Sequence, residues 1–315
     1  MNLGKHQATP IQRISNNLNK NTFFIKRDDL LPISFGGNKA RKAVLFFEEL
    51  KRKNFDSVVT YGSSSSNHCR VVANIAAAKG IPCHIISPSE SYQNTTNSKM
   101  IRLFGAFVTR CPVSDVSLTI KRKLDELKKQ GYKPYFIPGG GHGDIGTQAY
   151  VKAYEEIVDY ERSLGIHFDY IFHTTGTGTT QAGLVCGKLL RADQREIIGI
   201  SNARKNAYGS QVVLDSVNSY LKGLDIGPIG LEEISFIDEY VLDGYGSYND
   251  EILETIKEVL INDGIPLDTT YTGKAFWGMK EFIKKNQVTS KKILFIHTGG
   301  TPLFFDKLED LINEG

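Results

Sequence analysis

The chain of 315 residues is poor in cysteine, and its four (Cys69, Cys83, Cys111 and Cys186) lie far apart with no CxxC or CxxH spacing. That pattern excludes a disulfide framework and gives no zinc-ligand set, so free thiols in a reducing cytoplasm are expected. No run approaches a membrane span, and the opening "MNLGKHQATPIQRI" has no apolar stretch of signal-peptide length. One-sided charge is absent as well: 38 Lys and Arg face 35 Asp and Glu, a net +3. So small a bias argues against nucleic acid or an anionic membrane as partner. Repeats and low-complexity segments are missing too, apart from a serine run at 63–66. What is present, 40% hydrophobic and 23% charged residues, suits one large or two medium domains with a real core.

Short apolar runs alternate with helix-length amphipathic stretches. "SVVTY" (57–61), "CHIIS" (83–87), "AFVT", "YFIP", "FDYIFH" (168–173), "EIIGIS" (196–201) and "KILFIH" (292–297) each read as a strand. The alternation predicts βα units on mostly parallel sheets covered on both faces. Eight or more such strands fit two sheets better than one. The expected division is a small domain over 43–152 and a large one made of 1–42 plus 153–315. One helix is legible in detail. In "SDVSLTIKRKLDELKKQG", Ser114 or Asp115 is the candidate cap, Ile120, Leu124 and Leu127 share a face, and Gly131 stands at a left-handed C-cap.

Three turns carry chemistry. "HTTGTGTTQAGL" (173–184) leaves a strand and opens a helix. Gly176 and Gly178 let the backbone turn its amides toward a ligand, and Thr177, Thr179 and Thr180 add hydroxyls at a positive helix end. The result is a phosphate cradle or, more plainly, a polar strand-to-helix turn. It is neither a Walker A sequence nor GxGxxG, which suits a small phosphomonoester as well as a nucleotide. "YGSSSSNHCR" (61–70) has the same logic and suits a substrate carboxylate; its His68 is as much a capping or packing residue as a catalytic one. "IHTGGTP" (296–302) ends the last strand. "DGYGSYND" and "TTYTGKAFWGM" place Tyr245 and Tyr271 beside glycine, as core or as site residues. In "FGGNKARK" (35–42), Lys39 follows two glycines and an asparagine.

A phosphate cradle, a carboxylate turn and an early lysine together point to pyridoxal 5′-phosphate, held by the lysine as a Schiff base. At these positions the chain resembles the tryptophan-synthase-β-like (fold type II) enzymes, and within them the family of 1-aminocyclopropane-1-carboxylate (ACC) deaminase and D-cysteine desulfhydrase. The resemblance runs in order through "FIKRDDLLPISFGGNKARK", "SNH", "IPGGGHGDIGTQAYV", "GTGTTQAGL", "YTGKAFWGM" and "LFIHTGGTP". It implies two three-layer α/β domains with the cofactor in the cleft between them. It implies Lys39 as the Schiff-base lysine, Lys42 and Gly176, Thr177, Gly178, Thr179 and Thr180 at the phosphate, Asn67 at the ring hydroxyl and Thr298 at the pyridine nitrogen. Ser66, Asn67 and His68 would meet the substrate, with Ser66, Tyr271 and Tyr245 joining Lys39 in catalysis. A cytoplasmic homodimer acting on a small amino acid is the accompanying expectation.

The family's two branches separate at a few positions. As the resemblance has it, deaminases carry "YEG", "HLGG" and "SNQ"; desulfhydrases carry "YTG", "HTGG" and "SNH". The chain has Tyr271-Thr272-Gly273, His297-Thr298-Gly299-Gly300 and "SNH". "TQAG" at 180–183 looks instead like the deaminase loop, and the four-serine turn fits neither branch. A carboxylate would stabilise a protonated ring nitrogen, whereas threonine only shares a hydrogen bond with it. The weaker electron sink suits α,β-elimination of a good leaving group, with D-cysteine or a β-substituted D-alanine giving pyruvate, ammonia and the leaving group. ACC deamination, a specialised biosynthetic elimination or β-replacement, and a cofactor-binding protein without turnover are the alternatives.

Overall fold

The computed structural model describes residues 8–90 and 92–312. Its ten strands are β1 Ile11–Arg13, β2 Thr22–Arg27, β3 Ser57–Tyr61, β4 Cys83–Pro88, β5 Phe107–Cys111, β6 Pro134–Ile137, β7 Tyr170–Thr175, β8 Glu196–Ser201, β9 Ser235–Ile237 and β10 Lys292–His297. They form a four-stranded sheet, β5-β4-β3-β6, and a six-stranded sheet, β1-β2-β10-β7-β8-β9. Every pairing is parallel except β1 with β2. The seven apolar runs all become strands. β1, β2 and β9 are additional. β2 was hidden because it ends in two charges, Lys26 and Arg27, that are nonetheless buried.

Successive residues of a strand serve opposite faces, so each sheet is covered on both. In β10, Leu294 and Ile296 pack into one core cluster, while Ile293 and Phe295 pack into the cluster behind. In the smaller sheet Val58 and Ile85 face one cluster, and Val59 and Ile86 the other. The covering helices are α1 Asn38–Arg52, α2 Asn67–Ala78, α3 Thr96–Leu103, α4 Val116–Lys129, α5 Asp144–Leu164, α6 Thr179–Leu190, α7 Tyr208–Lys222, α8 Asp250–Asp263 and α9 Thr272–Lys285. This is the fold type II architecture of mostly parallel α/β layers.

The α4 helix behaves as expected at its end and differently at its start. Gly131 is left-handed at φ +90°, and the Gly131 and Tyr132 amides donate to the Lys128 and Leu127 carbonyls, each at 3.0 Å. That is the Schellman closure. Neither Ser114 nor Asp115 caps the first turn, because a 3₁₀ turn over Val113–Asp115 runs directly into the helix.

Buried charge fixes α1 to the larger sheet. The Arg41 guanidinium reaches Asp28 at 2.8 Å and Glu156 at 2.6 Å, and Lys26 reaches Glu156 at 2.5 Å. Tyr150 donates to Asp28 at 2.7 Å. Such a network holds only with every partner present; removing one member leaves a buried charge uncompensated at a cost of about 3–5 kcal/mol. It clamps β2, α1 and α5 together, directly beneath the segment that carries Lys39 and Lys42.

Candidate active site

Strands of both sheets end at one cavity of about 1070 Å³. The turns after β3, β6, β7, β8 and β10 all contribute to its wall, as the carboxyl edges of parallel sheets do in α/β folds. Lys39, Ser66, Asn67, His68, Gly176, Thr177, Gly178, Thr180, Tyr245, Tyr271 and Thr298 line it. Lys42 and Thr179 stand one layer back, where the Lys42 ammonium donates to Thr179 Oγ1 at 2.7 Å.

Lys39 sits in the first turn of α1. The chain reaches it through four consecutive residues of positive φ: Ser34 (45°), Phe35 (61°), Gly36 (59°) and Gly37 (90°). Glycine is required at the last of these, since a Cβ on Gly37 would stand 2.6 Å from the Thr298 carbonyl oxygen. The Asn38 amide then donates to that same oxygen at 2.9 Å, so the "GGN" and "HTGG" stretches are bonded backbone to backbone. The Lys39 ammonium donates to the Gly140 carbonyl at 3.1 Å, and burial lowers it to about 8. Burial, and then the nearby Lys39, push the Lys42 amine well below its usual value. An anion arriving at the 176–180 turn would favour the charged form again.

The serine turn divides its labour. Ser66 is the N-cap of α2, its Oγ accepting from the Cys69 amide at 3.2 Å. Ser64 turns inward and accepts from the Gln93 amide at 2.8 Å. Ser63 and Ser65, 3.2 Å apart at their hydroxyls, face the cavity with the α2 N-terminus behind them. His68 is buried, shares a 2.8 Å hydrogen bond with Thr60, and is lowered to about 3 by burial and then by the two lysines. A neutral packing histidine is the reading that these facts support.

Across the cavity the Tyr245 and Tyr271 hydroxyls lie 2.5 Å apart. Desolvation, followed by Tyr245, pushes the Tyr271 hydroxyl well above its usual value. Tyr245 is held in place by Lys274, whose ammonium donates to the Val241 and Gly244 carbonyls at 2.9 and 3.0 Å. Thr272 and Thr298 have different fates. Thr272 is fully buried, donates to Asp268 at 2.8 Å and accepts from the Asp268 amide at 3.0 Å. Thr298 is on the wall. Gln181 of "TQAG" lies away from the cavity, donating to the Ser235 carbonyl at 2.7 Å and packing on Gly199.

Sequence reasoning assigned no role to Gly140, Asn202, Asp268 or Arg70. Gly140 needs its left-handed φ of 70°, and a Cβ there would meet Thr177 at 2.6 Å and the Lys39 ammonium at 3.4 Å. Its signal was present in "PGGGHG", a glycine run straight after a strand. Asn202 presents a buried Oδ1 without a partner beside the 176–180 turn.

A desolvated lysine amine and a turn of glycines and hydroxyls backed by a second lysine, in a roomy cavity, fit a pyridoxal phosphate molecule. The two-sheet fold and this cavity define the class of fold type II cofactor enzymes. Residues 3–299 match the family described as pyridoxal-phosphate dependent enzyme, and the chain belongs to that family. Among solved structures it is similar to an ACC deaminase homologue, at 30% identity and TM-score 0.88, over 97% of this chain and 93% of that one. A processed threonine deaminase isoform from Solanum lycopersicum (20% identity, TM-score 0.66, 96% and 86% covered) shares the fold. So does a hydrogen sulfide-producing enzyme from Fusobacterium nucleatum (21%, 0.60, 93% and 95%).

Proposed function

We propose that the protein catalyses α,β-elimination on a small amino acid, D-cysteine or a β-substituted D-alanine, taking up one water and releasing pyruvate, ammonia and the leaving group. The observation that carries this reading is Thr298 on the cavity wall, with Thr272 turned away onto Asp268. Pyridoxal phosphate, when bound, supplies an electron sink for charge developing at the substrate Cα. Lys39 would hold the cofactor and would take the Cα proton; an amine lowered to about 8 is in range to act as base near neutral pH. Lys42 and the 176–180 turn would hold the phosphate, and Asn67 would face the ring hydroxyl. Ser66 and the amides that follow it, at the positive end of α2, orient the substrate carboxylate. The Tyr271–Tyr245 pair, each hydroxyl able to donate or accept, delivers a proton to the departing group.

In this reading residues 43–152 form the small domain and residues 1–42 with 153–315 the large one. Both boundaries then fall inside helices, α1 and α5. A cytoplasmic homodimer is the expected assembly, checked by a sedimentation mass of two chains.

D-Cysteine should be turned over about a hundredfold faster than ACC, corresponding to about 3 kcal/mol in barrier. Keto-acid release from both under one set of conditions tests this. ACC deamination is the second reading, favoured by the likeness to the ACC deaminase homologue; equal or faster ACC turnover would establish it in place of the first.

A further inference from the structure

Arg70 lies one turn into α2 and is wholly buried. A buried guanidinium ordinarily faces a carboxylate, because desolvating a charge without a partner costs several kcal/mol. Among the described residues no carboxylate reaches this one. Its Nη1 donates to Asn67 Oδ1 at 2.5 Å and to Asn97 Oδ1 at 2.7 Å, its Nε donates to Ser34 Oγ at 3.3 Å, and its Nη2 has no partner. Burial lowers it only to about 10, which leaves it charged near neutral pH.

A guanidinium has donors and no acceptor, so it decides which end of a neighbouring amide faces it. Facing Arg70, both Asn67 and Asn97 must present oxygen. The Asn97 nitrogen is then free to donate to the Ser65 carbonyl at 2.7 Å and to Asn67 Oδ1 at 3.0 Å. With Oδ1 of Asn67 occupied twice on the buried side, what this residue offers the cavity it lines is an N–H donor.

We infer that Arg70 is a positioning residue that fixes Asn67 as a hydrogen-bond donor toward an acceptor oxygen of the bound cofactor. This rests on the reading of Asn67 as the partner of the ring hydroxyl. Without Arg70 one of the two donors holding Asn67 Oδ1 is lost, leaving the Asn97 N–H at 3.0 Å, and the amide turns over more readily to present its own oxygen to that hydroxyl. Through Ser34, and through the Phe35 ring 6.0 Å from its guanidinium carbon, the same side chain also ties the serine turn to the left-handed segment leading to Lys39.

The test titrates stripped protein with pyridoxal phosphate and follows visible absorbance and visible circular dichroism. Arg70→Met and Asn67→Ala should each weaken cofactor binding about tenfold and reduce the visible dichroism. The double variant should bind no more weakly than the worse single, because Arg70 acts through Asn67. Losses that multiply, or an Arg70→Met protein with parent-like affinity and dichroism beside a weakened Asn67→Ala, would overturn the inference alone. Parent-like binding by Asn67→Ala would overturn the reading of Asn67 as well. Should Arg70→Met not fold, Arg70→Lys replaces it. It keeps the charge without the planar fork, and a loss of about threefold or more with the same non-additivity is expected; parent-like binding overturns the proposal.

Discussion

The serine turn before α2 and the threonine turn before α6 are built to one plan, a parallel strand, a polar turn and a helix N-terminus aimed at the cavity, yet they are backed differently. Behind the threonine turn stands Lys42, 2.7 Å from Thr179 Oγ1. Behind the serine turn stands Arg70, which reaches the wall only through the amides of Asn67 and Asn97. The threonine turn contains a left-handed Gly178 at φ +98° that curls its amides; the serine turn places a capping hydroxyl at Ser66 instead. Charge at close range, with curled amides, suits a phosphate dianion that stays bound. Neutral donors with a screened cation behind them suit a carboxylate that must arrive and leave each cycle. Two turns of one design can therefore serve different anions by what stands behind them.

The comparison breaks first at the residue between the turns. Lys39→Ala should abolish covalent retention of the cofactor, and borohydride reduction with peptide mapping of the parent protein should tag Lys39 alone. A tag on another lysine would remove the centre around which both turns are read. Next, Lys42→Met should weaken cofactor affinity about a hundredfold, the upper end of what a hydrogen bond to a charged group contributes, with KM for substrate little changed. Ser66→Ala should do the reverse, raising KM about thirtyfold at similar cofactor affinity, and should lower stability by about 1 kcal/mol through the lost cap. Equal effects of the two variants on both quantities would show that the turns are not specialised. The smallest effect is on pH. Cofactor capture needs the unprotonated Lys39 amine, so its rate should rise about tenfold from pH 7 to a plateau near about pH 9. A rate still climbing steeply at about pH 9.5 would mean that the amine is not lowered.

Much of this was legible in the sequence because parallel strands buried on both faces are continuous apolar runs, and because glycine after such a run marks a ligand turn. β2 was not, since Lys26 and Arg27 look like surface until Glu156 and Asp29 neutralise them. The roles within the serine run were not either. Which of Ser63 to Ser66 caps, turns inward or faces the cavity depends on Gln93 and Asn97, which are distant in sequence. Arg70 did leave a local trace, an Asn67–Arg70 spacing of i, i+3 that puts both on one helical face. Charge in an apolar stretch was the signal, and it became readable only once no carboxylate was found near it. Gln181, a position at which the branches differ, is a packing position.

The bond from the Asn38 amide to the Thr298 carbonyl joins stretches separated by most of the polypeptide, and β2, which leads toward Lys39, pairs along its length with β10. During synthesis the lysine therefore emerges well before the strand and carbonyl that fix its position. Contacts of such long sequence separation form late in folding. A growing chain held short of Thr298 carries Lys39 without the carbonyl to which the start of its helix is bonded. The setting of Lys39 is thus completed only in a chain extended past Thr298.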